Sequence, residues 1–170
     1  SGKTNLLEAV YVLATSKSFR ARDSELIHHG DTHYRITGGL KGNEVALGYQ
    51  EKDGISEKRV SHNAAKKSLI NHVGLIPVVL FEPEDLLMIS GAPDRRRRYL
   101  DTILSQSSKP FRSTLHKYKR VVQQRNRILS DWRGNESDLF VWNMKFAEYA
   151  SQIYIERQAL IEYINGTIAD

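Results

Sequence analysis

Cysteine is absent from the 170 residues. That excludes a disulfide scaffold, a thiolate nucleophile and a cysteine-built zinc site, and it fits a reducing cytoplasm, where the chain is expected to reside. No apolar run approaches the roughly 20 residues needed to span a bilayer, so no membrane partner is expected. A signal peptide is not legible, since the early apolar stretch NLLEAVYVLA is short and carries a glutamate. The six histidines (His28, His29, His33, His62, His72 and His116) form no HExxH pair and no other metal-ligand spacing. Acidic residues are scarce in one place. Between Arg95 and Arg127 there are 11 Lys and Arg against a single acid, Asp101, whereas the remainder carries 14 basic and 19 acidic residues. A mildly acidic body with one strongly basic element implies an anionic partner. With 40% hydrophobic and 26% charged residues, the chain has the makeup of a soluble protein able to bury a core.

Proline and glycine are also missing between Asn5 and His29, and a helix is expected there. Leu6, Leu7, Val10, Leu13 and Ala14 supply an apolar stripe at helical spacing. Immediately before it stands Ser1-Gly2-Lys3-Thr4. A complete phosphate-binding loop reads GxxxxGK[ST] between a strand and a helix: its amides cradle phosphates, its lysine reaches the outer ones and its hydroxyl holds magnesium. Gly2, Lys3 and Thr4 match the last three positions, so they are the candidate nucleotide-binding residues, with Thr4 the candidate magnesium ligand. The leading glycine and preceding strand are not in the sequence, and weak nucleotide binding is the expectation for this piece taken alone.

The basic segment Lys17–Gly30 reads as a loop and a short helical turn, with Lys17 and Arg20 free to meet DNA or phosphate, or simply solvated. HYRITGGL and EVALGYQ, separated by KGN, form a hairpin; SEKRVS adds a third strand across EKDGI. KKSLINHVG is a short helix closed by Gly74. VVLF (78–81) reads as a strand buried on both faces, followed by Glu82, Glu84 and Asp85. Those acids either approach a metal beyond the strand end or start a helix at Pro83.

Gly91 and Pro93 then break the chain, and Asp94 is the expected cap of a helix from about Arg95. Arg95, Arg96, Arg97 and Arg98 spread around more than one turn, available to phosphate or to carboxylates such as Glu82, Glu84 or Asp85. Two long helices finish the chain as an antiparallel pair. The first has Phe111, Leu115, Tyr118 and Val122 on one side, with Arg112, Lys119, Arg120, Arg125 and Arg127 away from it. The second has Leu139, Trp142, Phe146, Tyr149, Ile153, Glu156, Leu160 and Tyr163 at heptad-like spacing, interrupted by the acid. Trp132 to Glu136 is the expected bend.

Taken together, SGKTNLLEAVYVLATSKSFR, LFEPEDLLMISGAPDRRRRYLD and YKRVVQQRNRIL resemble the bacterial RecF family of DNA replication and repair proteins, in that family's order and over nearly all of the chain. The resemblance implies an α/β fold: part of an ABC-type P-loop ATPase lobe at 1–90 with antiparallel strands, and an all-helical lobe at 91–170. It implies ATP with magnesium, held through Gly2, Lys3 and Thr4, and an ATP-dependent homodimer. It implies binding to single- and double-stranded DNA at gaps or junctions, with RecO-like and RecR-like mediator partners, recombinase loading, support of replication and a role in the SOS response. Candidate DNA or phosphate contacts are Lys17, Arg20, Arg95 to Arg98, Arg112, Lys119 and Arg120. The parent is expected to be a weak ATPase. The signature motif and the acids that bind magnesium and activate water are absent from these 170 residues, so this piece is expected to be inactive, and no catalytic residue is assigned. Two other readings stay open: an SMC/Rad50-like DNA-tethering head, and a non-enzymatic basic helical adaptor with an accidental GKT.

Overall fold

A computed structural model describes residues 2–130 and 136–168. The chain divides into two units, 1–85 and 86–170.

In the first unit, helix α1 (Lys3–Thr15) precedes a sheet of four strands, β1 (His33–Leu40), β2 (Asn43–Lys52), β3 (Ile55–His62) and β4 (Ala65–Lys67), each antiparallel to its sequence neighbour. The meander follows from three two-residue turns. Lys41-Gly42, Asp53-Gly54 and Asn63-Ala64 all have positive φ at both residues, the geometry whose twist matches paired strands. The first two dipeptides make the expected hairpins. The third turn adds β4, which the sequence reading missed, because alanine at φ 64° carries no turn signal. Asn63 supplies the compensation: its Oδ1 accepts the Glu44 N–H at 2.8 Å and its Nδ2 donates to Asn43 at 2.7 Å.

The core of this unit is Val12, Leu13, Val45, Leu47 and Val60, flanked by Leu26, Tyr34, Ile36, Leu40 and Ile76. Helix α1 reaches it only through its last turns. Val12, Leu13 and Ala14 are buried, while Leu6 (68% exposed), Leu7 (66%) and Val10 lie open, so the expected single buried stripe is corrected. Glycine permits the close approach at one point: a Cβ on Gly38 of β1 would stand 2.7 Å from Leu13 Cδ2.

Of the expected KKSLINHVG helix only Leu69–His72 is helical, as α2, ending before Gly74 at φ 89°; Lys66 and Lys67 belong to β4. The VVLF strand is not formed. Residues 76–83 alternate between half-buried and exposed, with Val79 91% and Phe81 75% exposed. A strand requires a ladder partner, and none of β1–β4 pairs with this segment. Pro83–Leu86 is one 3-10 turn. Asp85 Oδ2 accepts the Glu82 N–H at 2.9 Å, the reach-back of a helix-start cap.

The second unit is helical: α3 (Leu87–Ser90), α4 (Pro93–Ser107), α5 (Lys109–Ser130) and α6 (Glu136–Ile168). Helix α4 begins at Pro93 with Ala92 as its N-cap, so Asp94 is a first-turn acid rather than the expected cap. Gly91 closes α3 with its N–H 2.6 Å from the Leu87 carbonyl, where a Cβ would meet that oxygen at 2.4 Å. Helices α5 and α6 run antiparallel: Thr114 bonds Gln152, Tyr118 meets Phe146 and Arg125 bonds Asn143, so partners advance on one helix as they retreat on the other. The residues of the expected bend up to Asn135 lie outside the described residues.

Leu104, Phe111, Leu115 and Ile153 form the helical core, with Tyr118 and Leu160 against it. The covered stripe of α6 keeps the expected positions through Ile153 and again at Leu160, and takes Arg157 and Ile164 in place of the exposed Glu156 and Tyr163. A charge pair occupies the first of these replaced positions. Arg157 reaches α4 and donates to both carboxylate oxygens of Asp101 at 2.8 and 2.9 Å, with both side chains largely covered. Among the described residues no helix is long and apolar enough to cross a membrane.

Candidate functional site

The N-terminus of α1 presents the residues singled out by their phosphate-loop chemistry. Gly2 is the N-cap, Lys3 and Thr4 open the first turn, and all three are exposed. The first intrahelical bond runs from the Leu6 N–H to the Gly2 carbonyl at 3.0 Å. The amides ahead of Leu6 precede that first bond, as the opening donors of a helix do. No acid stands in that first turn, which leaves a lysine, a hydroxyl and a positive helix end facing outward. That donor set suits a phosphate with its magnesium. Among the described residues no cluster of three or more His, Asp or Glu side chains is placed to hold a metal by itself.

The other end of α1 is fixed three times over. Ser16 turns left-handed at φ 63° and returns its N–H to the Val12 carbonyl at 2.8 Å. Lys58 of β3 donates to the Ser16 carbonyl at 2.7 Å and pairs with Asp23, placing a cation at the negative end of the helix. Asp23 also accepts the Tyr34 hydroxyl at 3.0 Å; burial, then this acid, pushes the phenol of Tyr34 well above its usual range. His72 is fully buried. Its Nε2 lies 2.5 Å from the Leu13 carbonyl, so that nitrogen carries the proton, and its Nδ1 accepts from His62 Nε2 at 3.1 Å. Burial pulls the His72 pKa below its usual value, and His62 adds to the shift.

Between these ends, Arg20 folds back onto the helix. Its Nε donates to Glu8 at 3.0 Å, and its Nη2 to Glu8 at 2.5 Å and to Asn5 at 2.8 Å. Ser18 adds a 2.5 Å bond to the other oxygen of Glu8. The Arg20 hydrogen bond, the largest influence, holds the Glu8 carboxyl below its usual pKa despite burial. Phe19 meets Tyr11 edge-on at 5.6 Å. The sequence reading placed Arg20 on a free loop; the structure brings it beside Asn5, the residue after Thr4. Asn5 and Glu8 were missed as its partners, although a glutamate inside an otherwise apolar helix was the available signal. Lys17 is exposed on the same loop. Asp85 lies with Glu82 close enough to Tyr11 for both acids to raise its phenol pKa, after burial.

The remaining candidates sit in the second unit. Arg96 donates to the carbonyls of Met88 and Gly91 at 3.2 and 3.1 Å, closing the end of α3. Arg97 and Arg98 approach Asp94 at 3.6 and 2.8 Å. Arg95 begins the run at the close-packed Gly91. Arg112 turns inward to the Ser105 carbonyl, and its Nε is buried without a hydrogen-bond partner. Lys119 and Arg120 are exposed on α5.

No family model matches the chain. Curated relatives do: it is 34% identical to the DNA replication and repair protein RecF of Lachnospira eligens, covering 99% of this chain and 49% of that protein. It is 38% identical to RecF of Staphylococcus epidermidis over 95% of this chain and 45% of the relative. A solved structure of the recombination mediator protein RecF-ATPrS in the RecFOR pathway superposes with a TM-score of 0.83 at 30% identity, over 95% of this chain and 45% of that one.

The chain is homologous to bacterial RecF.

It spans about half the length of the RecF proteins it matches. The two expected lobes, one with an antiparallel sheet and flanking helices and one all-helical, are present as the two units.

Proposed function

We propose that this chain is part of an ATP-dependent, DNA-binding mediator of recombinational repair and replication maintenance; its relatives are named DNA replication and repair proteins and, in a solved structure, a recombination mediator protein. The observation that carries this is the head of α1, where Lys3 and Thr4 face outward beside an arginine held by Glu8 and Asn5. Gly2 and the first-turn amides would receive the phosphates, Lys3 would neutralise them, and Thr4 would meet magnesium. ATP would supply the binding energy that couples two copies of the protein. Arg20 is pre-positioned next to that phosphate end, its direction set by a buried carboxylate.

The same reading extends to gapped or junction DNA as the substrate, RecO-like and RecR-like proteins as partners, and participation in the SOS response. The sequence between α5 and α6 is only residues 131–135, which supports this reading over a tethering head with a long coiled coil between its lobes. Binding of the full-length protein to gapped DNA, with and without ATP, tests the proposal. Lys3→Ala is expected to abolish the ATP-stimulated part. Unchanged nucleotide affinity and unchanged stimulation in that variant would reject it.

A further inference from the structure

Helix α5 differs from every other long element in having no acid; the sequence from Thr102 to Ser130 carries seven basic residues and no Asp or Glu. The structure sorts those cations by direction. Arg112 and Arg125 are half-buried and bonded within the helical unit, to the Ser105 carbonyl and to Asn143. Lys109, Lys117, Arg120 and Arg127 are exposed, interleaved with exposed Gln123 and Gln124. Steps of three and four residues along 109, 113, 116, 120, 124 and 127 keep one line on the helix surface. Eighteen residues of helix make that line about 27 Å long. Neither Lys109, Arg120 nor Arg127 has an ion-pair partner among the described residues. Lys117 is exposed, with its Nζ 6.0 Å from the centre of the Tyr149 ring.

An unpaired row of cations is costly to hold together. Interspersed amide side chains, which both donate and accept, suit a partner that also offers both kinds of group. We propose that this outward face of α5 is a track for a nucleic-acid backbone, gripping phosphates through Lys109, Lys117, Arg120 and Arg127 and sugar or base edges through the two glutamines. The assignment rests on the functional reading above and makes it specific. It places a main DNA grip on the second unit, and it leaves Arg112 out of that grip. Such a track senses charge and shape, so affinity should vary little with base sequence.

The experiment uses the full-length protein with ATP and a fluorescent duplex carrying a single-strand gap, titrated across a range of salt. Each phosphate neutralised contributes about 0.9 to the slope of log affinity against log salt. The triple variant Lys117→Ala, Arg120→Ala, Arg127→Ala is expected to flatten that slope by about 2 to 3 and to weaken binding roughly 100-fold at moderate salt. The charge-keeping Arg120→Lys, Arg127→Lys variant should retain the slope, and Arg112→Ala should lower the melting temperature without flattening it. Circular dichroism confirms that each variant is folded; should the triple variant not be, the same comparison is made with Arg120→Gln alone, which should flatten the slope by about 1. An unchanged slope in a folded variant overturns the track while leaving DNA binding intact. Failure of the unsubstituted protein to bind DNA overturns the functional reading itself. Binding to anionic vesicles but not to DNA would do the same.

Discussion

The two units use charge in opposite ways. In the first, charged side chains are tied down around α1, Glu8 to Arg20 and Lys58 to Asp23 and the Ser16 carbonyl, and the buried neutral His72 bonds the Leu13 carbonyl. In the second, one largely covered pair, Asp101 with Arg157, joins α4 to α6, and most of the α5 cations face solvent. Charge that is fixed within a lobe sets geometry, here the direction of the helix carrying Lys3 and Thr4. Charge left facing solvent is available to a ligand. A charge count sets the basic stretch apart from the acidic remainder, but it does not say which cations are already satisfied.

Core truncations are the most severe way to probe this contrast. Leu47→Ala and Phe111→Ala each remove a side chain almost wholly buried in its own unit. Each is expected to destabilise the full-length protein by about 3 to 5 kcal/mol, measured by denaturant unfolding. If the units unfold separately, each substitution should move only its own transition.

Asp101→Ala comes next. It leaves Arg157 facing α4 without its carboxylate and should cost about 3 kcal/mol. Replacing both residues together with apolar ones should recover much of that loss. An effect below about 0.5 kcal/mol for the single change would mean that Arg157 is held in the stripe of α6 by packing alone.

Acid titration separates the fixed charges of the first unit. The folded protein holds His72 below its ordinary pKa of 6.5. An unfolded chain therefore takes up a proton first, and this stability is complete above about pH 6.5 and declines as pH falls below it. Glu8 is held below 4.5, so its contribution is complete above that pH and declines further into acid. Unfolding measured in small pH steps should show the histidine shoulder before the carboxylate one. His72→Gln should erase only the first; a shoulder that survives belongs to another group.

Two glycines give the smallest effects and test which neighbours can yield. Gly91→Ala meets the Leu87 carbonyl at 2.4 Å, whereas Gly38→Ala meets only the Leu13 methyl at 2.7 Å. Backbone cannot step aside as a side chain can. A loss of stability, read from the melting temperature, is expected for both, about 1 to 3 kcal/mol for the first and under about 1 kcal/mol for the second. The reverse order would contradict the geometry.

What the sequence disclosed follows from range. Lys41-Gly42 and Asp53-Gly54 fix hairpins through two residues, so β1 to β3 were legible, and Gly2-Lys3-Thr4 stood out because its chemistry is contiguous. The helix pair was legible from the spacing of Phe111, Leu115 and Tyr118 against Trp142, Phe146 and Tyr149. What escaped depends on distant partners. Leu6 and Leu7 match a buried face, yet the sheet reaches only Val12 to Ala14. VVLF has strand composition but no neighbour to pair with in the sheet. The Glu8–Arg20 clamp joins residues 12 apart, and Arg157 pairs with an acid 56 residues earlier.

The three two-residue turns have a consequence for timing. Every rung of the β1–β4 ladder joins strands adjacent in the chain, so zipping proceeds outward from each turn with little loop entropy to overcome. Assembly of this meander needs no residue after Lys67, and it can be complete on a ribosome before the long helices have been synthesised. Pulse-labelled hydrogen exchange should find the β2 amides protected before those of α5 and α6, and the nascent chain would then offer α1 a finished wall against which to dock.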